Sequence, residues 1–375
     1  MTGLSDKGLI PIQPAAARWL ADAARALEGV EGRVDRATSE LFQPPAKGLS
    51  DQHRAQIGQL FKSLIGTIED ELRLRLIDAM GDEASLELSA ALGSARVAIA
   101  LPLLERTQLL REPDLVGAML RRVDEHRLAL ALGRDSPYHV ADLAQQLLDL
   151  GDAELSEATM GLLIAESRRY DQFGDPSLIR TDLPERAHRR LLWCVAAALR
   201  HYLIQQHRLE ETRADLLLAA TVRDLLAEHD DNDTLEARAD ALATMLMARG
   251  RIDDALLSAS LEEGWLALFT SALAMRAGID GPGVWSMITD PSGMMLGTLL
   301  RAIGCDRDHA VTMIWRIGSA EGIDEEELVI RADAFDMLNA PEAAEAVLIW
   351  RLDPNYRRAA IEIGQAGSPG GGRIR

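Results

Sequence analysis

Apolar positions along this chain recur every three or four residues, and long runs of alternating β-branched residues are missing. That period gathers apolar side chains into one stripe of a helix, whereas a half-buried strand would alternate. Ile57, Leu60, Phe61, Leu64, Ile65 and Ile68 predict a helix opened by Ser50-Asp51, and Leu72, Leu76, Ile77 and Met80 extend it to Gly81. An earlier helix is expected from Pro14 to Gly29, behind an unstructured start and before a Pro44-Pro45 connector. Between Ala90 and Leu150 the pattern repeats. A helix at Val97–Arg106 and a second opened by Glu112-Pro113 are answered by His126–Arg134 and then Ser136-Pro137. Pro113 aligns with Pro137, Val116 with Val140 and Met119 with Leu143, a shift of roughly 24 residues that suggests a stacked helical array. Proline suits the first helical position, where its missing N–H would have no partner anyway. Ser136 is a good cap and Glu112 a poor one. Pro102 falls inside its helix and is expected to kink or interrupt it.

After Tyr170 the segment DQFGDPSLIRTDLP carries Asp175-Pro176 and Leu183-Pro184, which discourage helix at the preceding residue. A domain boundary is expected there. A long helix then starts at Pro184 with Leu192, Val195, Leu199 and Leu203 on its apolar face, followed by helices at Glu211–Glu228 and Thr234–Ala248. Long paired helices suit an intramolecular hairpin or a homodimer. Farther on, Gly278-Ile279-Asp280 and Gly304-Cys305-Asp306 stand 26 residues apart, with Gly322-Ile323-Asp324 as a third copy. In each, Gly would end one helix in a left-handed turn and Asp would cap the next. The division expected is an arm with one helix (1–49), a repeat domain (50–170), a connector (171–183), an acidic helical domain (184–364) and a flexible tail (365–375).

Composition narrows the picture. Apolar residues make up 47% of 375 but aromatics only 4%, so the core must be built from Ala, Leu, Ile, Val and Met. Net charge is −19 and uneven: residues 1–210 hold 31 acidic and 25 basic residues, and 211–375 hold 28 and 15. A nucleic-acid binder would show a basic footprint, and anionic membrane surfaces are disfavoured by the same field. Two distant cysteines, Cys194 and Cys305, fit a reducing compartment. With no secretory leader and no apolar run of about 18 residues, the expectation is a cytoplasmic protein without membrane insertion.

Candidate chemistry is sparse. Glu185-x-x-His188 has di-iron spacing but no second copy, so an exposed helix start accounts for it better. His201 and His207 face different sides of one helix. Asp230-Asp231-Asn232-Asp233 looks like half a calcium loop without its glycine and distal glutamate. Cys194 and Cys305 read as packing residues, and phosphate-loop, nucleophile-elbow and zincin motifs are missing. No cofactor, metal or catalytic residue is expected. Arg121-Arg122, like Arg168-Arg169 and Arg186 with Arg189-Arg190, could contact a partner, though acidic neighbours favour a solvated face. Trp265, Trp285, Trp315 and Trp350 stand out in so aromatic-poor a chain, as interface anchors or as core.

The helix Ile99–Arg106, with its apolar-Ala-x-Pro-x-Leu-Glu-Arg pattern, Glu125-His126-Arg127-Leu128-Ala129 and the closing Leu352-Asp353-Pro354-x-Tyr-Arg-Arg resemble a family. It is the bacterial family of HEAT-like helical-repeat proteins catalogued as a domain of unknown function. That resemblance covers roughly residues 60–360 and implies a HEAT-like fold; it carries no activity to transfer. Because the second half departs from the repeat length of the first, the fold expected is an all-α, HEAT-like solenoid followed by a second helical domain. The expected function is a non-enzymatic scaffold that binds a protein partner with a basic surface along its helical face. The alternatives are a small-molecule or lipid sensor with an apolar cavity between the two halves, near Asp171–Pro184, and an enzyme using scattered carboxylates.

Overall fold

Helices are the only regular elements among the residues that the computed structural model describes, which are 33, 51–81, 85–94, 98–133 and 142–367. The Pro14 helix, the Pro44-Pro45 connector, the Ser136-Pro137 start and the C-terminal tail lie outside them. The chain divides into two units, Gly32–Arg249 with Glu262–Leu268, and Gly250–Leu261 with Phe269–Arg375.

The first unit is organised around α1, Asp51–Met80, a 30-residue helix. Its predicted stripe is buried from Ile57 through Met80 except for the half-buried Ile77, and each fully buried side chain contributes roughly 1.5–3 kcal/mol. Leu86–Leu92 forms α2, Ala100–Glu105 α3 and Pro113–Ala131 α4. Asp142–Leu148 is α5 and Ala153–Ser167 is α6. Glu185–His207 (α7) pairs with Glu211–Ala227 (α8), and both pack on α1. Leu235–Ala248 (α9) lies along α6. The long α7–α8 pair is thus an intramolecular hairpin.

Three expectations need correction here. The supposed second repeat at His126 is no new helix: α4 runs unbroken for 19 residues, because Leu115, Met119, Leu120, Val123 and Leu128 continue one stripe. Pro102 does not break its helix, since α3 begins at Ala100 and Pro102 sits in the first turn, where no backbone bond is lost. The free amides there have a side-chain acceptor. The buried Glu69 carboxylate takes the Ala100 N–H at 2.7 Å and the Ile99 N–H at 2.9 Å, while ion-pairing with Arg73.

Finally, the 171–183 connector does not separate units. Leu178 and Leu183 belong to the same apolar cluster as α1, α4 and α7. Arg180, in a short 3-10 turn at Arg180–Asp182, clamps Glu71 of α1 with bonds of 2.8 and 2.9 Å. Prolines did break the helix there; they did not free the segment.

The second unit holds most of α10, Asp254–Glu262, and of α11, Leu266–Ala277. It continues with α12, Gly281–Ile288, and α13, Met294–Ala302. Arg307–Ala320 (α14), Glu325–Met337 (α15), Ala340–Ala346 (α16) and Pro354–Gly367 (α17) complete it. The Gly-x-Asp signal works as expected. Gly278, Gly304 and Gly322 take φ of +67°, +69° and +81°. Asp280, Asp306 and Asp324 cap α12, α14 and α15 by accepting amides at 2.7, 3.0 and 2.9 Å. A further copy, Gly250 with Asp253, is one residue longer than the others; Asp253 accepts the Leu256 amide at 2.8 Å.

Candidate ligand-binding site

One stripe of α4, Gly117, Ala118, Arg121, Arg122 and Glu125, forms a wall of a cavity of about 380 Å³ in the first unit. The helical period puts these residues on one side; tertiary packing decides that it faces the connector rather than water. Asp182, Leu183 and Pro184 close the opposite side, and Glu185, Asp231 and Glu236 stand around it. A volume of this size falls at the small end of ligand sites.

Beneath the cavity lies a buried charge network. Glu125 accepts Arg121 Nε–H and Arg169 Nη2–H, both at 2.8 Å, and Arg122 Nη1 lies 3.5 Å away. Arg169 also pairs with Glu166 at 3.1 Å. Burial alone would raise the Glu125 carboxyl, yet Arg169, Arg121 and Arg122 together hold it down at about 2. The Glu125 carboxylate and the Arg121 and Arg169 guanidiniums are therefore charged at neutral pH.

Arg122 and Asp182 are less well served. Both side chains are almost wholly buried, and their closest approach is 3.9 Å, beyond hydrogen-bond reach. Nε and Nη1 of Arg122, and Oδ1 of Asp182, have no hydrogen-bond partner. Burial pushes the Asp182 carboxyl up to about 6, because Arg122 is too distant to offset the lost water. Folded Asp182 holds its proton more tightly than the unfolded chain does. Its favourable contribution is present below about pH 4 and is lost as pH rises through about 6. Asp182→Asn should accordingly stabilise the protein near pH 8 by up to about 2–3 kcal/mol, with no difference near pH 4. Urea melts at the two pH values test this, and an effect independent of pH would contradict it.

Behind the connector, His188 is fully buried with its ring 4.5 Å from that of His229. Burial, then the neighbouring His229 and Arg180, lower it to about 4, so it is neutral at ordinary pH. Glu185 pairs instead with Arg189 at 2.5 Å and remains half-exposed, so the Glu-x-x-His spacing does not converge on one point. Among the described residues no group of three His, Cys, Asp or Glu side chains is placed to hold a metal ion. Asp233 pairs with Arg168 and Arg238, and Thr234, not Asp233, caps α9. Burial and then Asp254 push the Cys305 thiol up to about 12, and burial raises Cys194 too. Neither has the character of a nucleophile.

The residues singled out in the sequence fall into two groups. Arg121 and Arg122 meet at the cavity, one at its rim and one inside it, so the solvated-face reading of Arg122 is corrected: its side chain is 3% exposed. Trp265, Trp285 and Trp350 are core, at 2%, 8% and 0% exposure, and are unavailable as surface anchors. Trp315 is 37% exposed. Trp193 is exposed as well, and Asp182, part of the expected connector, is buried. Nothing local marks either; the first faces outward by helical phase, and the second is buried by the fold around it.

No described helix is long and apolar enough to cross a membrane. Fold and site together define an all-helical protein with a small charged cavity and no assembled metal site among the described residues. Residues 99–348 match the family described as an uncharacterised protein conserved in bacteria (DUF2336), two-thirds of the chain, and the protein belongs to that family. No curated protein and no solved structure matches it.

Proposed function

We propose that this protein is a non-catalytic adaptor that works by binding another protein. The observation behind this reading is the outer face of α17. Tyr356, Ala359, Ala360 and Ile363 recur at helical spacing and all are exposed, with Tyr356 at 63% and Ile363 at 73%. A helix that turns an apolar stripe to water is a recognised docking element for a groove or another helix. On α15 of the same unit, Ile330 and Met337 lie one heptad apart and are 54% and 88% exposed. The acidic balance beyond residue 210 favours a partner with a basic rim, whose capture would weaken with salt. The high-lying thiols, and the pairing of Glu185 with Arg189 rather than with His188, weigh against catalysis by those groups.

Photo-crosslinking in the native cell tests the proposal. A benzoyl-phenylalanine at position 356 or 363 should capture a discrete protein, and the same probe at Arg251 should not. Equal capture at all three positions, or none, would refute the reading.

A further inference from the structure

We propose that the cavity between α4 and the connector is a receptor site for a small zwitterion, specifically an α-amino acid with a cationic side chain. Arg122 carries the case for a ligand. Its guanidinium is buried, lines the cavity, and presents two nitrogens without hydrogen-bond partners. A buried donor left unmade is costly, more so for a charged group, so such a group calls for an acceptor. Glu125, which already serves Arg121 and Arg169, stays 3.5 Å from Arg122, so an acceptor in the cavity would complete the guanidinium.

Asp182 supplies the other half. Its Oδ1 lacks a donor, and the residue lines the same cavity as Arg122. A carboxylate next to an ammonium on one carbon satisfies both: the carboxylate accepts from Arg122, and the ammonium donates to Asp182. An inorganic anion would satisfy the first and be repelled by the second. A simple amine would do the reverse. The remaining lining charges select the side chain. Glu185, Asp231 and Glu236 give the rim an excess of negative charge over Arg121, which favours a positive side chain and opposes an acidic one. The volume of about 380 Å³ suits one amino acid better than a folded peptide segment.

Titration calorimetry on the full chain near pH 7.5 would use L-arginine, L-lysine, L-leucine, L-glutamate and agmatine, the last being arginine without its carboxylate. L-arginine or L-lysine should bind one to one. Agmatine, leucine and glutamate should bind at least about tenfold more weakly, a difference of about 1.4 kcal/mol. Arg122→Lys keeps the charge but removes the fork, and should weaken binding at least about tenfold. Should that variant fold poorly, Glu236→Gln at the half-exposed rim serves instead, and should weaken lysine binding more than leucine binding. The proposal fails if no panel member binds at millimolar concentration or if agmatine or glutamate binds as well as arginine. It fails equally if a folded Arg122→Lys retains full affinity.

Discussion

Replacing Glu125 by glutamine should cost about 3–5 kcal/mol of stability, measured as a shift in the urea midpoint of the purified protein. The cost does not equal the worth of one salt bridge. Three guanidiniums, of Arg121, Arg122 and Arg169, converge on this one carboxylate, with Arg169 only 1% exposed. Removing the negative charge leaves buried cations facing one another without water, which is the expensive half of breaking a buried pair. Glu166 still pairs with Arg169 at 3.1 Å, which leaves Arg121 and Arg122 without the carboxylate they shared. The pH dependence has the opposite sign to that of Asp182. Glu125 titrates lower in the fold than in the unfolded chain, so its contribution is present above about pH 4.5 and disappears as pH falls toward 2. The difference between wild type and Glu125→Gln should narrow over that window. A variant as stable as wild type at pH 7 would mean that the network is not buried as described.

Trp350→Ala should be nearly as damaging, at about 3–5 kcal/mol, because it empties the volume of a fully buried indole. Its environment is specific. The Arg357 guanidinium lies 4.9 Å from the ring centre, and Arg357 also donates to the Trp350 carbonyl at 2.8 Å while pairing with Asp280 at 3.1 Å. The cap of α12 and the start of α17 are thereby joined through one indole and one guanidinium. Trp315→Ala offers the contrast, since its half-exposed side chain leaves little cavity and should change stability by less than about 1 kcal/mol. Calorimetric melts of the two variants would separate an indole that fills a core from one that remains on the surface; comparable losses would contradict the assignment.

What could be read from the sequence was local. The 3.6-residue period placed α1 almost to the residue, because a single helix needs nothing beyond its own stripe. The Gly-Ile-Asp and Gly-Cys-Asp turns were legible for the same reason, as their geometry closes within six residues. Distant partners were not legible. Pro102 looked disruptive until α3 was seen to start two residues before it, with Glu69 taking up the free amides from 31 residues away. Prolines around 171–184 did report a break in helix, but the bonds that bind the segment to the fold reach Glu71 across 109 positions. A buried Arg beside a solvated Arg cannot be told apart by composition, so Arg121-Arg122 showed as a cluster and not as a cavity wall. The tryptophans were ambiguous by chemistry, since a large rigid ring serves a core and an interface equally well.

Hydrogen exchange across residues 171–184 bears most directly on the claim beneath the rest, that this connector is an ordered wall of the charged cavity. The Ser177, Asp182 and Leu183 amides donate to Arg169, Ile179 and Arg180 at 2.7, 3.1 and 3.3 Å, inside a segment held by Arg180 and by the buried Leu178 and Leu183. Those amides should exchange at least about a hundredfold more slowly than an unstructured peptide, with protection approaching that of α4. Complete exchange within seconds would mean a free linker, and with it no fixed seat for Asp182 opposite Arg122.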